Sequence, residues 1–231
     1  MGDGSMRVAL ADYQRLGWAL VPTAATESEL TLLDQQLSRV PANAPVHGLR
    51  DILDRCPQAR ILATSAGLKD IAMQALDGPV SLIRGVLLAK TPTANWHVPW
   101  HQDVLVTVRG AALTGAHQSH LKHGLLHLRP SEPWLSRRVA LRLHLDDCPA
   151  HAGALRVLDG THRRGYVPQH ELSDRLGRWR GRVIPAQRGD ILVMHPLLLH
   201  ASSAAQRPGR RILHLEYCVN RPPFGTPWAV G

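Results

Sequence analysis

Three short stretches of the 231-residue chain carry side chains whose types and spacing could do chemistry: Trp100-His101-Gln102-Asp103, Gly189 to His200 (GDILVMHPLLLH), and the arginine pair Arg210-Arg211. On an extended segment, residues two apart point the same way, so His101 and Asp103 can face one point. That pair is half of a metal site. A histidine arriving on another strand would complete two imidazoles and one carboxylate on one face of an ion, the set that suits non-haem iron(II) and leaves positions open for oxygen and a co-substrate. HxD alone is a weak signal in a chain with 14 histidines. The order of the pieces raises it: HxD, a strand-rich gap of about a hundred residues, His200, and then an arginine.

The elements that would hold these residues can be read from periodicity. Thr26, Glu27, Ser28 and Glu29 have capping-box spacing, and Leu30, Leu33, Leu37 and Val40 follow on one helical face, predicting a helix over 26–40. Helical patterns recur near 49–55 and 67–76. After Pro79 the character changes to strands: 80–88, 104–108, 139–145 with strict alternation, then 154–158, 182–184, 190–194, 197–200 and 211–219. Helices followed by many short strands predict an α+β protein with a mainly β core, a barrel or a sandwich.

Taken together, the stretches resemble the phytanoyl-CoA dioxygenase-like (PhyH) branch of the Fe(II)- and 2-oxoglutarate-dependent oxygenases. The resemblance runs through WHQD (100–103), GALRVLDGTHRR (153–164), GDILVMHPLLLH (189–200) and RRILHLEY (210–217), and covers most of the chain after about Gly17. It implies a double-stranded β-helix (jelly roll, cupin-like) with helices packed outside. It also implies Fe(II) held by His101, Asp103 and His200, with 2-oxoglutarate and O2 as co-substrates. His195, five residues before His200, is read as a structural neighbour. Counting eleven residues from His200 lands on Arg211, expected to grip the far carboxylate of 2-oxoglutarate with help from Ser202. Arg211 alternates with Leu213, Leu215 and Tyr217, and an inward guanidinium among apolar neighbours asks for an anion. Relatives often carry an asparagine five residues after the distal histidine, where this chain has Ala205.

The resemblance implies oxidation of an unactivated C–H in a small molecule, with release of succinate and CO2. Asp103 favours hydroxylation over halogenation, since related halogenases have Ala or Gly there. Desaturation, epoxidation and cyclisation remain open at this point. The rival from another class is a non-catalytic, cupin-like metal-binding protein, which would have no use for both a metal grip and a co-substrate grip.

Residues 109–133 contain His117, His120, His123 and His127 among glycines. The stretch is expected to be a lid-like loop over the barrel mouth, with His127 and Arg129 as substrate contacts. Trp96 and Trp100 are read as rim packing. Residues 1–5 read as an expression scar and 6–231 as a single domain.

Composition limits the partners. The net charge is +9, yet of 27 basic side chains only Lys69, Lys90 and Lys122 are lysines, a skew that a GC-rich genome writes by default. The densest cluster, Arg175 to Arg188, has one interleaved aromatic, Trp179, too few for a nucleic-acid platform. An anionic group on the substrate is compatible with the arginine-rich stretches. Cys56, Cys148 and Cys218 show no CxxC pairing and read as reduced packing residues. With no membrane span or secretory signal readable, a cytoplasmic protein is expected. The oligomeric state is not legible, and a monomer is compatible with the short chain.

Overall fold

A computed structural model describes residues 3–40, 48–109, 119–122, 125–176, 181–219 and 228. Helix α1 (Asp3–Leu16) leads into strand β1 (Trp18–Val21), followed by α2 (Glu27–Leu37), α3 (Ile52–Arg55), α4 (Pro57–Ala63) and α5 (Ala66–Leu76). The remainder is mostly strand: β2 (Ser81–Ala89), β3 (Val98–His101), β4 (Val106–Val108), β5 (Ser119–Lys122), β6 (Leu125–Leu128), then α6 (Glu132–Leu135), β7 (Arg138–His144) and β8 (Leu155–Val157). After α7 (Gln169–Leu176) come β9 (Arg182–Ile184), β10 (Ile191–Met194), β11 (His200–Ser202) and β12 (Arg211–Cys218).

The sequence signals explain the helices. Thr26 caps α2 with the reciprocal Thr26–Glu29 bonds of a capping box, and Leu30, Leu33 and Leu37 are buried on one side. Pro57 opens α4, where its missing N–H costs nothing. Helix α1 was not anticipated, and it begins at Asp3, inside the stretch set aside as a scar.

The strands form three antiparallel sheets among the described residues, ordered β1-β10-β7-β12-β2, β3-β11-β8-β9 and β4-β6-β5. The five-stranded sheet has two buried faces of opposite character. Its outer face, carrying Leu141, Leu143, Leu213, Leu215 and Tyr217, packs with Leu33, Leu53, Leu62 and Ile71 of the helices in one apolar cluster. Contact is close enough that a Cβ on Gly85 of β2 would stand 2.5 Å from Leu53 Cγ. The inner face carries Arg138, Arg142 and His144 from β7 and His214 and Glu216 from β12, all buried. Facing the four-stranded sheet, it makes a charged chamber along β7 and β12, while toward β10 the interior is apolar, with Ala140, Leu192 and Met194 packed on Leu155, Val157 and Ile184.

The segment expected to be an unstructured lid carries structure instead. Strands β5 and β6 pair with each other and β6 with β4, and Val106, Val108, Leu126 and Leu128 form a small apolar cluster. Alternating leucines supply a face to bury, which the glycine and histidine content obscured. His117 and His123 lie outside the described residues.

Candidate metal and co-substrate site

Strands β3 and β11 run antiparallel with His101 directly opposite His200, bringing the imidazole centroids to 4.1 Å. Asp103 lies just past β3, where its backbone N–H donates to Pro196 O at 2.8 Å. Its carboxylate spans the two rings, with Oδ1 3.5 Å from His101 Nε2 and Oδ2 3.5 Å from His200 Nε2. One donor atom from each residue lies within 4.8 Å of the others, so the trio could hold a metal ion.

Both rings are fixed in the same sense. His101 Nδ1 lies 2.9 Å from Pro99 O and His200 Nδ1 2.9 Å from Leu198 O, contacts that put the proton on Nδ1 and aim the bare Nε2 at the shared point. Burial pulls the His200 pKa down to about 3, with neighbouring His101 adding to the effect, so this ring is a neutral donor. Burial works against charge on His101 too, but the Asp103 carboxylate outweighs it and raises the pKa. Asp103 is held ionised well below the usual range: burial opposes this, and His200 and His101 prevail. Two nitrogens and one ionised carboxylate converging on a point fit a divalent cation of intermediate softness.

Gln102, between the two HxD residues, went unremarked in the sequence. It is buried and donates through Nε2 to Leu197 O (2.7 Å) and Gly165 O (2.9 Å), while Oε1 accepts from Val167 N (2.8 Å). It ties β3 to the turn before β11, holding the spacing between the histidines.

His195 is the other histidine of the GDILVMHPLLLH stretch and takes no part in the trio. Its Nδ1 accepts from Leu197 N at 3.1 Å, and its ring lies 5.0 Å from His162 and 6.2 Å from Tyr13. Burial, then His162 and Arg138, lowers its pKa to about 3. Burial and Arg142 lower that of His144 to about 4. Both rings are therefore neutral in the folded protein while the unfolded chain protonates them near 6.5, so the fold binds fewer protons below that pH. Stability should fall as pH drops from about 6.5 toward 4, by up to about 1.4 kcal/mol per unit for each histidine. Urea midpoints across this range check it, and His195→Asn should flatten the slope.

The trio forms one wall of a cavity of about 270 Å3 in the chamber. At its deep end stand Lys90, Arg210 and Ser202, all buried. Lys90 Nζ donates to Trp96 O (2.9 Å), to Ser203 O and to Ser202 Oγ (3.4 Å). Arg210 donates through Nε to Ala152 O (3.2 Å) and through an Nη to Gly153 O (2.9 Å). These partners are neutral; no carboxylate among the described residues pairs with either cation. Burial, reinforced by Arg210, lowers the Lys90 pKa to about 8. In the middle of the chamber Arg142 is fully enclosed, its guanidinium 3.3 Å from His214 Nδ1 and its Nε without a partner. Burial and Arg210 bring its pKa down to about 10. Cations buried without counter-charge are costly unless an anion joins them.

Arg211 requires a correction. It lies on the opposite side of the strand from the cavity, gripped by Asp146 through Nε (2.9 Å) and an Nη (2.7 Å) and paired with Asp34 at 2.8 Å. Alternation with Leu213, Leu215 and Tyr217 puts Arg211 on the apolar side of β12. That side faces the helices, and the chamber takes the side of Arg210, His214 and Glu216. Ser202 does line the cavity and His127 lines an adjoining chamber, whereas Arg129 lines neither. The Arg129 guanidinium stacks over the Tyr166 ring at 4.2 Å, beside a separate surface hollow. Trp96 lines the cavity, and Trp100 packs against Gly181 and under Arg156 at 5.5 Å. Lys90, Arg142, Arg84 and Arg50 were missed. The available signal was the alternation Arg84, Val86, Leu88, Lys90, which runs along β2 and one residue past it and brackets two apolar residues with two cations.

Comparison with known proteins follows the same lines. Residues 13–212 match the family described as phytanoyl-CoA dioxygenase (PhyH). No curated protein sequence matches. Among solved structures the chain is similar to the non-haem α-ketoglutarate-dependent epimerase SnoN from nogalamycin biosynthesis, with TM-score 0.69 and 16% identity over 94% of this chain and 83% of that one. AviO1 from Streptomyces viridochromogenes Tue57 gives TM-score 0.69 and 21% identity over 94% and 97%. HygX from Streptomyces hygroscopicus with nickel and 2-oxoglutarate bound gives 0.69 and 18% over 94% and 87%. These likenesses share the jelly-roll fold. No helix among the described residues is long and apolar enough to cross a membrane. By its match across most of its length, the chain belongs to the phytanoyl-CoA dioxygenase (PhyH) family, and is an oxidoreductase that uses iron, 2-oxoglutarate and O2.

Proposed function

We propose that this enzyme hydroxylates an unactivated C–H of a small, anionic molecule, converting 2-oxoglutarate and O2 to succinate and CO2 with one oxygen atom placed on the substrate. The observation that carries the reading is a His-Asp-His trio forming one wall of a buried chamber that also holds uncompensated cations. His101, Asp103 and His200 would hold Fe(II), and the metal, with 2-oxoglutarate chelated to it, supplies the oxidising chemistry when bound. The protein's own part is orientation and enclosure. Lys90, Arg210 and Ser202 would hold the distal carboxylate of the co-substrate, fixing the keto acid end against the trio. Enclosure of the chamber keeps water from the reacting atoms and strengthens each charge contact within it. The presence of Asp103 supports hydroxylation, because its carboxylate would hold the metal where a halide would otherwise bind.

The test is anaerobic reconstitution with Fe(II) and 2-oxoglutarate, expecting the weak visible charge-transfer band of the chelate, followed by succinate release on adding O2 and candidate substrates. Product masses 16 Da above substrate support hydroxylation. Because SnoN is described as an epimerase, a product of unchanged mass with inverted configuration would replace hydroxylation with that outcome. Absence of both band and succinate with every candidate would sink the reading.

A further inference from the structure

The cavity continues outward into a second chamber of about 270 Å3, lined by Arg50, Arg84, Val104, Leu105 and His127. Arg50, Arg84, His101 and Asp103 line both chambers, so the metal-side wall is common ground between them. Whatever occupies the outer chamber therefore lies against His101 and Asp103 of the trio.

Charge in this outer region is unbalanced. Arg84 donates to Glu216 Oε1 at 2.9 Å, but Glu216 is already shared: Arg138 donates to its other oxygen at 2.6 Å and His214 Nε2 lies 3.3 Å away. One carboxylate thus faces two guanidiniums. Arg50 adds a third cation, and no carboxylate among the described residues pairs with it. Partial burial, then neighbouring Arg84, makes its charge harder to keep. The co-substrate cannot relieve this pair if its two ends are engaged at the trio and at Lys90 and Arg210. Val104 and Leu105 provide an apolar wall beside the arginines.

Resting on the function proposed above, we infer that Arg50 and Arg84 form the anchoring site for a substrate oxyanion, a carboxylate or a phosphate, whose short apolar segment lies along Val104 and Leu105 with a C–H over the trio. Two guanidinium forks suit either anion, each offering paired N–H donors in a plane. The site is separate from the deep cations, so the two anions of a ternary complex would be gripped at opposite ends of one continuous space.

The test uses protein loaded with Ni(II) and 2-oxoglutarate, which does not turn over, and three probes of one chain length: hexanoate, hexyl phosphate and uncharged hexanamide. Loading is scored first by calorimetry; failure to take up Ni(II) and 2-oxoglutarate overturns the underlying function and this inference with it. On loaded protein, at least one anion should bind roughly tenfold or more tighter than the amide, as expected for charge-assisted hydrogen bonds. The tighter of the two identifies the anion class. Arg50→Gln and Arg84→Gln should each erase most of that preference, and Arg50→Lys should keep part of it, while 2-oxoglutarate affinity stays within about twofold of wild type. Arg50 is exposed, so its substitution keeps the fold even if Arg84→Gln disturbs Glu216. Equal binding of the three probes, or a preference that survives both Gln variants, overturns the inference. A fall in 2-oxoglutarate affinity equal to the loss of probe binding also overturns it, assigning the pair to the co-substrate.

Discussion

His200→Ala is expected to abolish the Fe(II)–2-oxoglutarate charge-transfer band and succinate formation, with Fe(II) affinity falling by more than the roughly 10–100-fold that losing an outer partner of a metal ligand costs. His200 is the most enclosed of the trio, its ring neutral and its Nε2 aimed by the Nδ1 contact to Leu198 O. Alanine leaves one imidazole and one carboxylate, too few to define a face. His101→Ala should behave alike, because the rings meet across one register position of β3 and β11. His195→Ala is the control: that ring faces Tyr13 and His162, and its loss should cost stability while sparing the band. A band that survives in both ligand variants would refute the assignment.

The second large effect separates adjacent arginines. Arg210→Gln should weaken 2-oxoglutarate binding by roughly 10–150-fold, corresponding to the loss of about 1.5–3 kcal/mol of charge-assisted hydrogen bonding. Arg211→Gln should leave co-substrate affinity close to wild type and lower stability by about 1 kcal/mol, since its partly exposed pairs with Asp146 and Asp34 are structural. Competition between 2-oxoglutarate and a non-reactive analogue, measured on both variants beside their urea midpoints, checks the pair. A reversal, with Arg211 controlling affinity, would return the role to the residue that counting from His200 selects.

The contrast shows what a sequence can carry. HxD and a distal histidine are legible because each motif sits on a short extended segment, where period-two geometry decides direction without knowledge of the rest of the chain. The capping box at Thr26 and the leucines of α2 are local in the same way. The arginine is different. Its direction depends on which side of β12 becomes the chamber, and both sides are buried. Strand β7 poses the same ambiguity: Leu141 and Leu143 alternate with Arg142 and His144, an apparent inside and outside, although every residue from Arg138 to His144 is buried. Two buried faces of opposite polarity defeat the rule that apolar means inward. Arg50 and Arg84 were illegible for another reason: they meet across more than thirty residues of intervening helix and loop, and each alone looks like a solvated cation.

Asp146 takes on new meaning in this light. Its Oδ2 accepts from both the backbone N–H of Arg211 (2.7 Å) and the Arg211 Nε (2.9 Å), at the first residue of β12. A slip of one position there would turn His214 and Glu216 into the greasy helix layer and swing leucines toward the metal-facing hollow. The clasp acts as an alignment pin for the last strand: Arg211, turned away from the hollow, sets the phase in which Arg210 lines it.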